Sequence, residues 1–265
     1  MRQGRSAVLV LTICGCALIA PALALAQDMM RHLDLTSPDM VSAEMTRADV
    51  EAALAARRTD FSARKLSGLD LSGLDLTGAV LRGARLNKTS LANTKLDRAI
   101  LDQAWLLDAD LRGASLKEAS LFGAQMQRAK LDGADLSGAR VTADLTGASL
   151  VGATLARANL GADMKNQSMG LMRAVLRSAN LSHADLRQAD LSRVDLEFAT
   201  LAQADLGGAS LRGASLGGAN LTAVTVADTD FLGADVASAR LISPIGLAAA
   251  KNFDQAVNLD RLLHE

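Results

Sequence analysis

From Phe61 to Leu241 an apolar residue returns at every fifth position. The series runs Leu66, Leu71, Leu76, Leu81, Leu86, Leu91, Leu96 and Leu101 onward to Leu131, Leu136 and Val141. It resumes as Leu145 to Leu160 and again as Leu171 to Leu241, about 36 returns in all. Ala stands two places before most of them, as in Ala109-Asp110-Leu111, Ala134-Asp135-Leu136, Ala184-Asp185-Leu186 and Ala204-Asp205-Leu206, so the consensus is A-(D/N/S)-L-x-x. A helix advances about 100° per residue, so five steps overshoot a turn by about 140°, and in a strand five steps land on the opposite face. Neither element keeps these leucines on one side. A chain that turns a corner every five residues does: each repeat is one side of a square, with Leu and Ala inward and the other three positions outward.

The turn chemistry points the same way. Glycine recurs two places after the Leu, at Gly68, Gly73, Gly78, Gly83, Gly113 and Gly133 among others, where a type II corner requires positive φ. Asp, Asn or Ser before the Leu bonds nearby backbone groups. Coils stacked at about 4.8 Å, about nine of them, predict an all-β solenoid about 43 Å long. The register slips twice, by four residues from Val141 to Leu145 and by eleven from Leu160 to Leu171, which together restore the frame. The second slip, Gly161 to Gly170 with Met164, Lys165, Asn166 and Met169, predicts a bulge or short loop.

These repeats resemble those of the pentapeptide repeat family, A(D/N)LXX, over about two thirds of the chain. The resemblance implies a right-handed quadrilateral β-helix; the hand comes from the resemblance and not from the spacing. Some members of that family mimic duplex DNA and bind type II topoisomerases through a strongly acidic rod.

Open stacks need covered ends. Thr46-Arg47-Ala48-Asp49 resembles a capping box, and Val50, Ala53 and Leu54 give one apolar face, so residues 46–60 are expected to form an N-terminal capping helix. Pro244 stops the repeat of 61–243, and 244–265, with Leu247, Phe253, Val257 and Leu259, reads as a C-terminal cap. Residues 27–45 show no period and read as a flexible arm.

Residues 1–26 differ in composition. Arg2 and Arg5 precede an apolar run from Ala7 to Ile19, and Ala24-Leu25-Ala26 is a small-residue site before Gln27. This predicts a secretory signal cleaved after Ala26, hence a periplasmic or secreted bacterial protein with no stable membrane insertion. The run is short of the roughly 20 residues of a spanning helix. A lipid anchor at Cys16 is the weaker alternative. Cleavage removes both cysteines, Cys14 and Cys16, and two arginines, which leaves 26 basic against 29 acidic residues, a formal charge of −3. No thiol chemistry remains in the mature chain.

Charge and composition then exclude function classes. Near-neutral charge offers no blanket attraction to phosphate, and one Trp with five Phe furnishes no base-stacking surface, so no nucleic-acid partner is expected. The mixed surface charge and the export signal also count against DNA mimicry of a cytoplasmic topoisomerase. Gly213-Ala214-Ser215-Leu216-Gly217 matches G-x-S-x-G, but Ser215 occupies the ordinary pre-Leu position with no helix after it. His32, His183 and His264 lack ligand spacing. Stacked carboxylates, Asp185 with Asp205, Asp190 with Asp230 and Asp195 with Asp235, read as a structural ladder among interspersed arginines. No catalytic residue, cofactor or metal is expected.

Outward positions should be polar, yet Val80, Ile100, Trp105, Leu107 and Phe122 fall on them. At about 20 residues per coil they gather across one corner as an apolar patch, covered either by the N-terminal segment or by a protein partner, a second copy included. The expected function is an exported, non-enzymatic rigid module for protein binding or scaffolding. The alternatives are a topoisomerase-interacting DNA mimic and an envelope spacer without a specific partner.

Overall fold

The computed structural model describes residues 34, 36–163 and 172–264. The signal segment 1–26 with Cys14 and Cys16, the start of the arm, and most of the break at 161–170 lie outside the described residues.

Four columns of parallel bridges run through the stack. The first side carries Asp60, Val80, Ile100, Ser120 and Arg140, the second Lys65, Arg85, Trp105 and Gln125, the third Asp70, Ser90 and Asp110, and the fourth Asp75, Lys95 and Ser115. Each side pairs through a single residue between corners, so no continuous strand forms among the described residues. In each pair the chain bonds above and below: Val80 N–H donates to the Thr59 carbonyl at 2.9 Å and Leu81 N–H to the Ile100 carbonyl at 2.7 Å. Every turn of the chain is thereby tied to its neighbours, which satisfies backbone groups that burial would otherwise leave costly.

The repeat sets the interior. Ala104, Leu106, Ala109 and Leu111 are fully buried, as are the equivalent residues above and below them. Each corner closes with a turn bond such as Ala84 N–H to the Leu81 carbonyl at 3.0 Å, and its third residue has positive φ. Gly83 takes this conformation at φ 63°, but so do Arg98, Gln103, Glu118 and Phe198 at 56–59°. The corner geometry is thus imposed by the ladder, and glycine only relieves it.

The first register slip removes one residue: Gln125 pairs with Asp144, and Ala143 turns inward. The second falls at the corner between the first and second sides. Asn159 remains on the first side, and the second resumes at Val175, with Asp163 N–H donating to the Met172 carbonyl at 2.8 Å.

The arm differs from the flexible segment that its lack of period suggests. Helix α1 (Pro38–Val41) buries Met40, Ala43 pairs antiparallel with Leu66, and Lys65 bonds Asp39 at 2.6 Å. Helix α2 (Arg47–Ala55) begins at a capping box in which Thr46 and Asp49 bond reciprocally, and it turns Val50 and Ala53 onto the first coil. The C-terminal segment packs Leu247, Phe253 and Leu259 against the end of the core. It is one more coil whose sides lengthen to six residues, centred on Ile245, Lys251, Val257 and Leu263 and joined by single 3₁₀ turns at Leu247–Ala249, Phe253–Gln255 and Leu259–Arg261. Gly246, Asn252 and Asn258 open these turns in the left-handed conformation, where Asn is the best-tolerated substitute for Gly.

Candidate protein-interaction surface

The five outward apolar residues separate into two groups. Val80 and Ile100 bridge directly in the first column, Trp105 stands on the second side between Arg85 and Gln125, and Phe122 occupies the corner between those sides. All four are half-buried. Phe122 is roofed by Arg140, whose guanidinium carbon lies 4.3 Å from the ring centroid in a cation–π arrangement. Arg140 is held there by Asp163 at 2.9 Å, so a residue next to the second register slip braces the corner that carries the aromatic ring.

Leu107 does not join them. It lies on the far corner of the second side and is only 6% exposed. Asn87, one coil below, accepts from Leu107 N–H through Oδ1 and donates through its amide nitrogen to the Met40 carbonyl, both at 3.0 Å. The N-terminal segment therefore covers this end of the sequence-predicted patch and leaves Val80, Ile100, Trp105 and Phe122 as the accessible part. The sequence carried no sign of this division, because Asn87 occupies an unconstrained repeat position.

On the other sides of the stack, too, outward carboxylates are neutralised by arginines in the same or the next coil. Arg112 grips Asp110 at 2.8 and 2.6 Å, and Arg187 grips Asp185 at 2.9 and 2.6 Å. Arg128 reaches Asp108, one coil below, with both contacts at 2.8 Å. These guanidinium hydrogen bonds hold Asp110, Asp185 and Asp108 below the ordinary aspartate range. Asp195 is buried against Arg177 at 3.0 Å and Arg173 at 3.6 Å. The predicted columns of Asp185 on Asp205, and of Asp190 and Asp230 about Ser210, are present, but their charges face arginine: Arg187 lies 3.8 Å from Asp205 and Arg212 2.7 Å from Asp230. Among the described residues no group of three or more His, Cys, Asp or Glu side chains is placed to hold a metal ion. Ser215 sits at a side centre with its backbone in the ladder, far from the exposed elbow that a serine nucleophile needs. No helix among the described residues is long and apolar enough to cross a membrane.

Comparison with known proteins agrees with the repeat. The family model for pentapeptide repeats matches in eight copies that together span 57–138 and 171–241, more than half of the chain. Curated proteins give no match. Among solved structures the chain is similar to HetL, a pentapeptide repeat protein involved in heterocyst differentiation regulation in the cyanobacterium Nostoc sp. strain PCC 7120, at 31% identity over 83% of this chain and 100% of that one, with a TM-score of 0.33. It is also similar to a trypsin-treated form of QnrB1, a plasmid-mediated fluoroquinolone resistance protein, at 17% identity over 77% of this chain and 85% of that one, TM-score 0.45. A third is Rfr23 of the cyanobacterium Cyanothece 51142, at 27% identity over 46% and 87%, TM-score 0.25. Five-residue sides, buried Ala and Leu at fixed places in each, and eight matched copies lead to one conclusion: the chain belongs to the pentapeptide repeat family.

Proposed function

We propose that this chain is an exported, non-enzymatic scaffold that binds another protein through the corner formed by Val80, Ile100, Trp105 and Phe122, on a stack of right-handed coils. The observation that carries this reading is the half-buried aromatic pair, Trp105 and Phe122, fixed on a backbone whose every side is bonded above and below. Aromatic anchors on a preorganised surface lose little entropy on binding, which is what makes them energetic centres of interfaces. The interior is filled by Leu and Ala, so chemistry inside the stack has no room. DNA mimicry fits less well, because Asp108, Asp110, Asp185 and Asp230 are paired with arginines and do not present a continuous acidic surface.

Photo-crosslinking in the native cell tests the reading. A photoreactive side chain at Gln125, beside Trp105 in the second column, is expected to give one discrete adduct with another protein, and the same group at Asn220 on the third side is expected to give none. Equal labelling from both positions, or from neither, would contradict it.

A further inference from the structure

The second side carries one column of outward residues whose burial changes partway up the stack. Ser67, Asn87 and Leu107 succeed one another there and are only 4, 7 and 6% exposed, whereas Gln127 and Thr146, the next two, are half-buried. The change marks the strip that the N-terminal segment covers: Asn87 holds the Met40 carbonyl, Glu44 N–H donates to the Lys65 carbonyl at 2.9 Å, and Lys65 bonds Asp39 at 2.6 Å. Lys65 and Arg85 stand directly below Trp105 in the column of side centres. Arg85 makes no ion pair among the described residues, and its charge reaches the Asp39 carboxylate, which the Lys65 hydrogen bond chiefly holds below the ordinary aspartate range. The single turn of α1 thus lays a carboxylate beside two cations and buries the neighbouring Met40.

The segment is lightly held. Its N-cap, Ser37, makes no side-chain bond, and the Asp39–Lys65 pair is exposed enough to contribute little. The Ser67 hydroxyl lies buried with no hydrogen-bond partner among the described residues, and an unmade bond of this kind favours opening. Trp105 and Leu107 flank the inward Leu106 on the same side of one coil, so lifting the segment joins Leu107 to the accessible apolar corner.

We propose that this segment is an internal occupant of the partner-binding corner, and that the partner displaces it with a helical segment of the same chemistry: a carboxylate for Lys65 and Arg85, an adjacent apolar side chain for Leu107, and further apolar side chains that cover Trp105. The inference rests on the reading of that corner as a protein-binding surface. Tethering keeps the internal segment at a high effective concentration, so the partner prevails through what the segment lacks, contact with the rings of Trp105 and Phe122. The apparent affinity of the closed chain is reduced by the fraction that is open, which makes the segment a regulator of the corner it covers.

The test reads the adduct formed through the photoreactive group at Gln125 in otherwise full-length chains. Met40→Ser removes the apolar anchor and keeps both cations. It is expected to abolish hydrogen-exchange protection of the Glu44 amide, to leave that of Leu131 intact, and to raise the adduct yield about threefold or more. Arg85→Glu also loosens the segment, by setting a like charge near Asp39, yet it is expected to lose the adduct, because the partner's carboxylate then meets a carboxylate. An unchanged yield or persistent Glu44 protection in Met40→Ser would overturn the inference, as would an unchanged or raised yield in Arg85→Glu. No adduct from any chain, the unsubstituted one included, removes the corner as a binding surface and this inference with it.

Discussion

Asn87 and Leu107 stand one coil apart at the same corner, and the Asn87 side chain joins Leu107 N–H to the Met40 carbonyl with two bonds of 3.0 Å. One buried amide thus fastens the N-terminal segment to the side of the stack. Replacing it with Leu leaves a buried donor and a buried acceptor without partners, a loss of about 1–3 kcal/mol. Asn87→Leu is expected to abolish hydrogen-exchange protection of the Glu44 amide while that of Leu131, deep in the stack, persists. Retained protection at Glu44 would show that Ala43–Leu66 pairing and the Lys65–Asp39 contact hold the segment alone.

The interior has its own test. Leu131 is fully buried between coils that are themselves bonded, so the chain has little freedom to collapse onto a cavity. Leu131→Ala is expected to cost about 2–5 kcal/mol, read from the denaturant midpoint. A loss below about 1 kcal/mol would mean that the stack relaxes locally.

Corner strain is separable from corner packing at Gly133. Its φ is 66°, and nothing lies within 4 Å of where a Cβ would stand. Gly133→Val therefore reads backbone strain alone, about 1–2 kcal/mol, and Gly133→Asn should cost less, because Asn enters this region more readily. Equal melting temperatures for the two variants would show that the side-chain type at this corner is indifferent.

Acid should loosen the molecule. In the folded chain Asp108, Asp110 and Asp185 are held below their ordinary range by hydrogen-bonded guanidinium groups. A carboxylate depressed on folding stabilises the fold above its unfolded pKa, and that contribution is lost as pH falls through the folded value. The melting temperature is expected to be flat from neutral pH to about pH 5 and to fall below about pH 4. Arg187→Gln should flatten part of that fall, and an unchanged acid limb would remove Asp185 from the account.

Export is tested by mass. The sequence predicts cleavage after Ala26, so the protein recovered from the soluble extracytoplasmic fraction should begin at Gln27 and contain no cysteine. An intact chain confined to the cytoplasm would remove export from the proposal and return topoisomerase binding to consideration.

The period-five pattern made the side walls legible because one physical rule, an inward Leu and Ala per side, repeats from Phe61 to Leu241. Legibility failed where the rule changed. The last coil keeps the logic at a period of six, with Gly246, Asn252 and Asn258 opening turns and Leu247, Phe253 and Leu259 following them. That spacing is visible in the residues once a six-residue side is entertained. Docking of the arm was hidden for a different reason. Met40 belongs to no period, and its partner Asn87 looks like any outward residue until the coil below is placed against the coil above. The glycine signal was real but incomplete, since residues such as Gln103 and Phe198 adopt the same positive φ.

The most direct test of the central claim, that a rigid surface and not a pocket carries the function, combines two readouts on one variant. Trp105→Ser with Phe122→Ser alters only half-buried outward side chains. The expected result is a protein that still unfolds cooperatively, with a loss of about 1–3 kcal/mol from the two half-buried rings and the Arg140 contact, together with loss of the adduct formed through Gln125. An adduct of undiminished yield on the folded variant would contradict that claim.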